Sequence, residues 1–368
     1  MQGESSMKSI EQPAWAASLT KSIGHPVESC PEDIQGNPWA LISVIIPTYN
    51  RHELLIAAIE TILAQTYPPF EIVVVDDGSS DGTGEMLQRF IDQRADGGVP
   101  IRYFFQTNQG PAVARNRGVT EARGEWIAFM DSDDPWSPEK LELQVRAMEQ
   151  FKNDCGACFT DARLWNNLDM DTTAFKLAGN HYEQAAGIVP DIVRSISKSV
   201  APFCWVQTTL IRKELVSQAG GFDKDVRYGE DYDFLFRLSR LTKFCYVNKV
   251  LVSINRTNSN TDPNTVRRVW DELGPHLQGR QCMFEKWLKL SGGLPPDVRK
   301  TVVHKLRETH SSWANWYLES GEYEKALQSV SSAMKYEMTP SLAVKWALIR
   351  IAPGYARKIA PKSKFLLL

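Results

Sequence analysis

A short apolar segment that ends in a cluster of carboxylates constrains the fold of this chain more than any other feature. The segment 126–130 is aromatic and uninterrupted, and three carboxylates follow it within Asp131–Asp134. Such a segment is typical of a strand buried on both faces of a parallel sheet. Open α/β sheets bind their ligands at the carboxyl ends of the strands. Carboxylates crowded there repel one another unless a cation neutralises them, so the pattern favours a binding edge over a solvated acidic turn.

Strand-like and helix-like segments alternate along the rest of the first half. Apolar runs predict strands at 42–46, 71–75 and 101–105, and the helical spacing of apolar residues predicts helices near 54–63, 84–93 and 112–121. This alternation predicts a doubly wound, mostly parallel sheet flanked by helices. Asn50 is expected to cap the first helix with Glu53 as its reciprocal partner. Ser137 is expected to cap a helix that has Pro138 at its first position.

The pattern becomes less regular after Lys140. Strands are predicted at 157–163, 206–211, 244–247 and 250–254, whereas 165–200 shows no clear period. From about Thr265 the chain is expected to be helical. Two amphipathic helices joined at 320–322 resemble one tetratricopeptide-like pair, but a solenoid needs several repeats, so a helical cap on the first domain is the favoured interpretation.

Composition excludes several classes of protein. The net charge of −2 provides no field that would recruit nucleic acid. Six cysteines are scattered without a disulfide framework, and the pair Cys155 and Cys158 lacks a second pair that could complete a zinc site. No signal peptide and no run of membrane-spanning length is recognised. A reducing, cytoplasmic location is therefore expected.

Four predicted strands each end in a polar loop. Because the carboxyl ends of parallel strands meet at one edge, these loops should converge on one site. Together they supply carboxylates, amides, glycines and the guanidinium groups of Arg115 and Arg117, which suits a nucleoside diphosphate held with Mg²⁺ or Mn²⁺. The loops are Thr48–Arg51, Asp76–Asp81, Asn108–Arg117 and Asp131–Asp134.

The same loops carry a resemblance to a known family. Five blocks of residues resemble motifs of family-2 glycosyltransferases of the GT-A fold and occur in that family's order. The blocks are 44–51, 74–83, 108–118, 131–134, and 220–223 with 229–233. The resemblance covers about residues 41–260. It implies a loose arm at 1–40, a GT-A domain at 41–262 and a helical region at 263–368. Within the domain, 41–134 would be the nucleotide-binding half and 135–262 the acceptor half.

The resemblance also implies roles for individual residues. Asp231 would be the catalytic general base, and Asp133 with Asp131 would bind the divalent metal, Mn²⁺ or Mg²⁺. Asp77 would accept a hydrogen bond from the base, most often uracil in this family. Gly110 and Arg115 would lie near the donor sugar and phosphates. The implied substrate-binding residues are Pro47, Thr48, Tyr49, Asn50, Arg51, Asp77, Gly110, Arg115, Asp131 and Glu230.

The expected reaction is an inverting transfer of a sugar from a nucleotide-diphosphate sugar, with a UDP-sugar favoured, to an acceptor hydroxyl in glycan or polysaccharide biosynthesis. The acceptor would be a glycan, a lipid-linked molecule or a protein. One departure concerns the Tyr-Arg-x-His motif that relatives often carry, because 254–257 has no histidine. Either that metal or phosphate contact is missing, or Arg256 replaces it.

Two other functions are weighed. A nucleotidyltransferase would typically show a glycine- and lysine-rich loop, which 46–51 lacks. A non-catalytic binding module that works through its helical C-terminus would not need the carboxylates of Asp131, Asp133 and Asp231. The tail 349–368 mixes apolar and basic residues, which predicts either a frayed, solvated end or peripheral contact with the inner face of an anionic membrane.

Overall fold

The computed structural model describes residues 40–67, 70–94, 98–165, 172–199, 202–255 and 263–359. The expected arm before residue 40, Arg256 and its neighbours, and the last nine residues of the tail lie outside these ranges.

The described residues form one eight-stranded mixed sheet with the strand order β3-β2-β1-β4-β7-β5-β8-β6. Strands β1 to β4 pair in parallel, β7 is antiparallel to both β4 and β5, and β6 is antiparallel to β8. The predicted fold class, a mostly parallel GT-A type sheet flanked by helices, is confirmed. The strands are β1 (Ile42–Thr48), β2 (Phe70–Asp76), β3 (Ile101–Phe105), β4 (Trp126–Phe129), β5 (Cys155–Trp165), β6 (Ala186–Ile188), β7 (Thr209–Arg212) and β8 (Lys243–Asn255).

Helices cover both faces of this sheet and continue beyond it. The close packing is clearest at Gly118, where an added Cβ would lie 2.3 Å from the Cγ2 atom of Ile45 on β1. The helices are α1 (His52–Leu63), α2 (Thr83–Asp92), α3 (Pro111–Glu121), α4 (Lys140–Gln150), α5 (Ala174–Leu177), α6 (Ile192–Lys198), α7 (Lys213–Gln218), α8 (Glu230–Ser239), α9 (Pro263–Leu288), α10 (Pro296–Glu319), α11 (Tyr323–Tyr336), α12 (Pro340–Ile351) and α13 (Pro353–Ile359). None of these helices is long and apolar enough to cross a bilayer.

Some local predictions were wrong. Asn50 does not cap α1: its φ of 50° is left-handed, and its side-chain oxygen accepts a hydrogen bond from the Ser80 N–H at 2.8 Å. The N-cap position belongs to Arg51, which makes no side-chain capping bond. Helix α4 begins at Lys140, two residues after Pro138, and Glu139 occupies its N-cap position. The left-handed backbone of Asn50 differs from the extended conformation that is typical of an N-cap residue.

The second half of the chain also differs in detail from the prediction. Residues 206–208 form a 3₁₀ turn rather than the start of a strand. The two strands expected at 244–247 and 250–254 are one strand, β8, because β5 pairs with both halves across irregularities in register. The stretch 165–200, expected to be irregular, contains α5, β6 and α6 within its described part.

The C-terminal helices pack in two groups. Trp287 on α9 stacks on Phe236 at 3.6 Å between ring centroids, and its indole N–H donates to Asp233 at 2.8 Å. Val298, Val302 and Leu306 on α10 belong to the same core as the sheet. The end of α10 instead forms a separate small core with α11, α12 and α13. Helices α9 and α10 are therefore part of the α/β body and close one side of the cavity described next.

Candidate active site

A cavity of about 860 Å³ lies at the carboxyl ends of β1, β2 and β4. It has the size of a site for a nucleotide or drug-sized ligand. Eleven of the twelve residues predicted from the sequence line it, and Asn50 is the exception. Those eleven are Pro47, Thr48, Tyr49, Arg51, Asp77, Gly110, Arg115, Asp131, Asp133, Glu230 and Asp231.

Asp77 organises the loops on one side of the cavity. Its buried carboxylate accepts hydrogen bonds from the Gly110 N–H at 2.7 Å, the Gln109 N–H at 2.9 Å and the Gln106 side chain at 2.8 Å. Its own N–H donates to the Thr48 carbonyl at 2.9 Å. A carboxylate offers about four acceptor positions, so the three bonds leave room for one further donor. Asp77 thus ties β1, β2 and the loop before α3 together while still facing the cavity.

Asn50 has a supporting place beside this loop. Its N–H donates to the Ser79 hydroxyl at 2.8 Å, and its side chain accepts from Ser80. These bonds join the loop after β1 to the loop after β2. Its predicted contact with substrate stays a prediction.

Tyr49 stands at the mouth of the cavity. Its side chain is 49% exposed although it lines the site, so a large aromatic face is open to solvent there. An exposed aromatic ring at a concave site provides a surface on which a planar base can stack. The neighbouring Thr48 hydroxyl oxygen is buried and has no partner among the described residues, which leaves a polar group available to a ligand.

Arg115 forms the centre of the cavity floor. The guanidinium donates to Asp131 at 2.8 Å and to Glu230 at 2.8 Å, and only 6% of its side chain is exposed. Burial alone would lower the pKa of Arg115, but the charges of Asp131 and Glu230 raise it well above the usual range. Arg115 therefore fixes the acidic loop after β4 against the start of α8. Both of its terminal nitrogens are used in doing so.

Gln207 is a site residue that the sequence analysis missed. It is buried, and its side-chain nitrogen donates to Asp131 at 3.1 Å and to Asp134 at 2.9 Å. The amide NH₂ group has two donors, so this nitrogen can bond both carboxylates and hold them in place. The signal in the sequence is weak, because the glutamine stands beside two threonines in a short strand-like segment at 206–211.

Asp133 lies beside Asp131 at the end of β4 and pairs with Arg51 at 2.6 Å. Burial and the neighbouring charge of Asp131 raise the pKa of Asp133, and Arg51 opposes the shift. Two carboxylates that face one cavity and destabilise each other's charge suit a cation. The described residues contain no group of three or more His, Cys, Asp or Glu side chains arranged as a complete metal site. A metal here would therefore need oxygens from a bound phosphate as well.

Helix α8 brings a second acidic pair to the cavity. It starts after Gly229, whose φ of 84° is a left-handed conformation that favours glycine. Burial raises the pKa of Glu230 while Arg115 opposes the shift, and Arg115 holds this side chain at 2.8 Å. Asp231 accepts a hydrogen bond from the Tyr232 N–H at 2.7 Å. The helix dipole stabilises the ionised form of a carboxylate in this first turn.

Helices α9 and α10 supply a wall that the sequence analysis did not predict. His276 and Arg280 on α9 and Lys305 on α10 line the same cavity as Asp231. The ring of His276 lies 4.1 Å from that of Tyr228, just before α8. No local motif marks these residues, because their place depends on how α9 packs against the sheet. A histidine and an arginine thus reach the site from α9. They lie outside residues 254–257, where the Tyr-Arg-x-His motif was expected.

Comparison with known proteins points to one family. The family described as Glycosyl transferase family 2 matches residues 43–217, which are just under half of the chain. This part of the chain is similar to that family. An uncharacterised glycosyltransferase of Rickettsia bellii is 43% identical over 231 residues, which are 60% of this chain and 30% of the relative. The Bacillus subtilis protein TuaG, provisionally named for teichuronic acid biosynthesis, is 39% identical over 126 residues, which are 34% of this chain and 47% of TuaG. The chain thus spans 30% and 47% of the length of these two relatives.

Solved structures with the same fold extend over more of the chain. Staphylococcus aureus TarS residues 1–349 in complex with UDP-GlcNAc superposes with a TM-score of 0.60 at 17% identity, covering 86% of this chain and 89% of that one. The mannosyltransferase PcManGT of Pyrobaculum calidifontis, solved with GDP-Man and Mn²⁺, gives a TM-score of 0.52 at 20% identity, covering 94% and 88%. At such low identity these likenesses establish the fold.

Proposed function

We propose that this chain transfers a sugar, with inversion, from a UDP-sugar to an acceptor hydroxyl in the biosynthesis of a glycan or surface polysaccharide. The observation that carries the proposal is that Asp231 faces the same cavity as the loops after β1, β2 and β4. A general base and a nucleotide site in one cavity are what a direct displacement at a sugar carbon requires.

The donor side of the cavity is assigned to the loops around Asp77 and Tyr49. The remaining acceptor position of Asp77 suits an N–H of a base, and the exposed ring of Tyr49 suits its face. Uridine is favoured because TarS, which shares the fold, was solved with UDP-GlcNAc. The GDP-Man bound to PcManGT makes guanosine the second nucleotide to test.

A divalent cation, Mn²⁺ or Mg²⁺, fits the carboxylates of Asp131 and Asp133. Burial and the charge of Asp131 raise the pKa of Asp133 although Arg51 lies at 2.6 Å, and a cation would favour its ionised form. The side chain of Arg51 is 42% exposed and has room to move aside. When bound, the cation would neutralise charge on the departing diphosphate.

Of the two carboxylates at the start of α8, Asp231 is the better general base. Arg115 holds Glu230, and burial raises the pKa of Glu230, so its function is to orient α8. Asp231 accepts a bond from its own helix and lines the cavity. In the proposed step the acceptor oxygen bonds to the anomeric carbon, the bond from that carbon to the diphosphate breaks, and Asp231 receives the hydroxyl proton.

Donor turnover by the variant Asp231→Asn tests this function. We expect hydrolysis and transfer of UDP-sugars to fall by at least about 10²-fold, the usual size of a general-base contribution, while the affinity for UDP stays within threefold. Asp223→Asn is a suitable control, because Asp223 binds Lys286 at 2.5 Å and does not line the cavity. Equal turnover by Asp231→Asn and wild type would refute the assigned base. Absence of UDP-sugar turnover and of UDP binding in wild type would refute the function.

We also propose a cytoplasmic protein that contacts the inner face of an anionic membrane through α12 and α13. Val344 and Ile351 are 59% and 82% exposed, and they lie seven residues apart on one face of α12. Arg350 precedes Ile351 on α12, and Arg357 and Lys358 follow on α13. Apolar side chains flanked by basic ones suit the surface of an anionic bilayer.

Sedimentation with lipid vesicles tests the membrane contact. Wild type should sediment with vesicles that contain phosphatidylglycerol, and Ile351→Asp should not. Neither protein should sediment with vesicles of phosphatidylcholine alone. Because Ile351 is 82% exposed, the substitution should leave the fold intact. Equal sedimentation of wild type and variant at low salt would refute the contact.

A further inference from the structure

Two cationic side chains in the cavity wall have no carboxylate partner among the residues that the structure describes. Arg280 on α9 and Lys305 on α10 are half-buried and both line the cavity. Within the described part of the chain, no carboxylate oxygen lies within 4.0 Å of either group. Glu308, whose charge reaches Arg280, is paired with Arg307 at 2.8 Å. The Lys305 ammonium donates only to the Ser199 carbonyl, at 3.2 Å, and lies 5.8 Å from the Tyr232 ring.

Two other cations with little exposure are each paired with carboxylates. Arg115 bridges two carboxylates, and Arg237 pairs with Asp233 at 2.7 Å. Burial, followed by the charge of Arg280, lowers the pKa of Lys305 to about 8. Holding two partly desolvated cations near each other costs stability, and an anion bound between them would offset that cost.

The first turn of α8 shows on which side of the base these cations lie. Successive residues of a helix point about 100° apart. Glu230 is directed to Arg115 and the acidic loop after β4. Tyr232 is directed the other way, since its hydroxyl donates to the Ile196 carbonyl on α6 and its ring faces Lys305. Asp231 therefore lies between the proposed donor loops and the pair Arg280 and Lys305.

From this arrangement we infer that Arg280 and Lys305 form an acceptor subsite for an anionic group, a phosphate or a carboxylate, carried by the acceptor next to the hydroxyl that attacks. The inference rests on the proposed function, because it takes Asp231 as the base that divides donor from acceptor. Guanidinium and ammonium groups bind phosphate and carboxylate oxygens through charge-assisted hydrogen bonds. A neutral acceptor would leave both cations without a counterion.

The test measures binding of small anions to protein already saturated with UDP. The probes are glycerol 3-phosphate and glucuronate, with glycerol and glucose as their neutral counterparts. Their binding is measured by calorimetry or by protein NMR. At least one anion should bind at least tenfold more tightly than its neutral counterpart, and which one binds identifies the source of the charge. Arg280→Gln and Lys305→Gln should each weaken that binding at least tenfold, as expected for loss of a charged hydrogen bond.

Matched variants separate charge from fold. Arg280→Lys and Lys305→Arg keep the charge and should retain most of the binding. Lys300 is an exposed lysine on the same helix as Lys305, so Lys300→Gln should leave the binding of the anion unchanged. The inference is overturned if neither anion binds more tightly than its neutral counterpart. It is also overturned if both glutamine variants bind the anion as tightly as wild type does, or if UDP displaces the anion. A protein that binds no UDP would instead refute the proposed function.

Discussion

Replacing Arg115 with methionine is the perturbation whose consequence the structure defines most closely. The variant keeps much of the volume of the side chain but removes two hydrogen-bonded ion pairs of 2.8 Å each. The side chains of Arg115, Glu230 and Asp131 are 6%, 14% and 29% exposed, so water could compensate only part of the loss. Breaking a buried ion pair from one side costs about 3–5 kcal/mol.

That cost can be translated into a melting temperature. With an unfolding entropy of about 2.1 cal/mol/K per residue, each kcal/mol corresponds to about 1.3 °C in a chain of this size, so we expect the Tm to fall by about 4–6 °C. The double variant Arg115→Met/Glu230→Gln should recover part of the loss, because it removes one of the carboxylates left without a partner. Scanning fluorimetry of the wild type, both single variants and the double variant gives the comparison.

Arg117→Met is the control on the same helix, since Arg117 donates to the Phe105 carbonyl at 2.6 Å and pairs with no carboxylate among the described residues. It should lower the Tm by no more than about 2 °C, the loss of a single hydrogen bond. A change of less than 1 °C in Arg115→Met, or stability changes that simply add in the double variant, would refute the role of Arg115 as the link between the acidic loop and α8.

Two further predictions concern the donor site and the core. Tyr49→Ala should weaken UDP binding about 5- to 100-fold, as expected for loss of base stacking. Tyr49→Phe keeps the ring and should bind UDP within about threefold of wild type. Equal UDP affinities of the two variants in titration calorimetry would contradict the stacking. Burial lowers the pKa of Lys140 to about 7. The unfolded chain therefore binds more protons than the folded one between pH 7 and pH 10, and stability should rise with pH by up to about 2–3 kcal/mol from pH 7 to pH 9. The urea unfolding midpoints of wild type and Lys140→Met at pH 7 and pH 9 should show that the variant flattens this rise in stability. An equal rise with pH in both proteins would contradict the prediction.

The strand-end loops could be predicted because each is a local pattern. An apolar run followed by carboxylates identifies the end of β4 without any tertiary information, and the same holds for Asp77 after β2. In a mostly parallel sheet these ends meet at one edge, and Asp77, Asp131 and Asp133 all line the cavity there. The direction of β7 could not be predicted, because an apolar run is the same in a parallel and an antiparallel strand.

The residues that the sequence did not predict come from distant packing. Gln207 reaches Asp131 across 76 positions of the chain, and nothing near it in sequence indicates an acidic neighbour. Arg280 and Lys305 enter the cavity only because α9 and α10 pack against the α/β body. The capping prediction for Asn50 was wrong for a similar reason. Its bonds to the loop after β2 stabilise a left-handed backbone that no capping pattern reveals.

The central claim is that the cavity binds a nucleoside diphosphate through its loops and a divalent cation through Asp133. Titration calorimetry of UDP, GDP and TDP, with and without Mn²⁺, against wild type and Asp133→Ala tests it most directly. We predict that one nucleotide binds best, that Mn²⁺ strengthens its binding at least tenfold, and that Asp133→Ala abolishes this effect of Mn²⁺. Failure of all three nucleotides to bind wild type, with or without Mn²⁺, would contradict the claim.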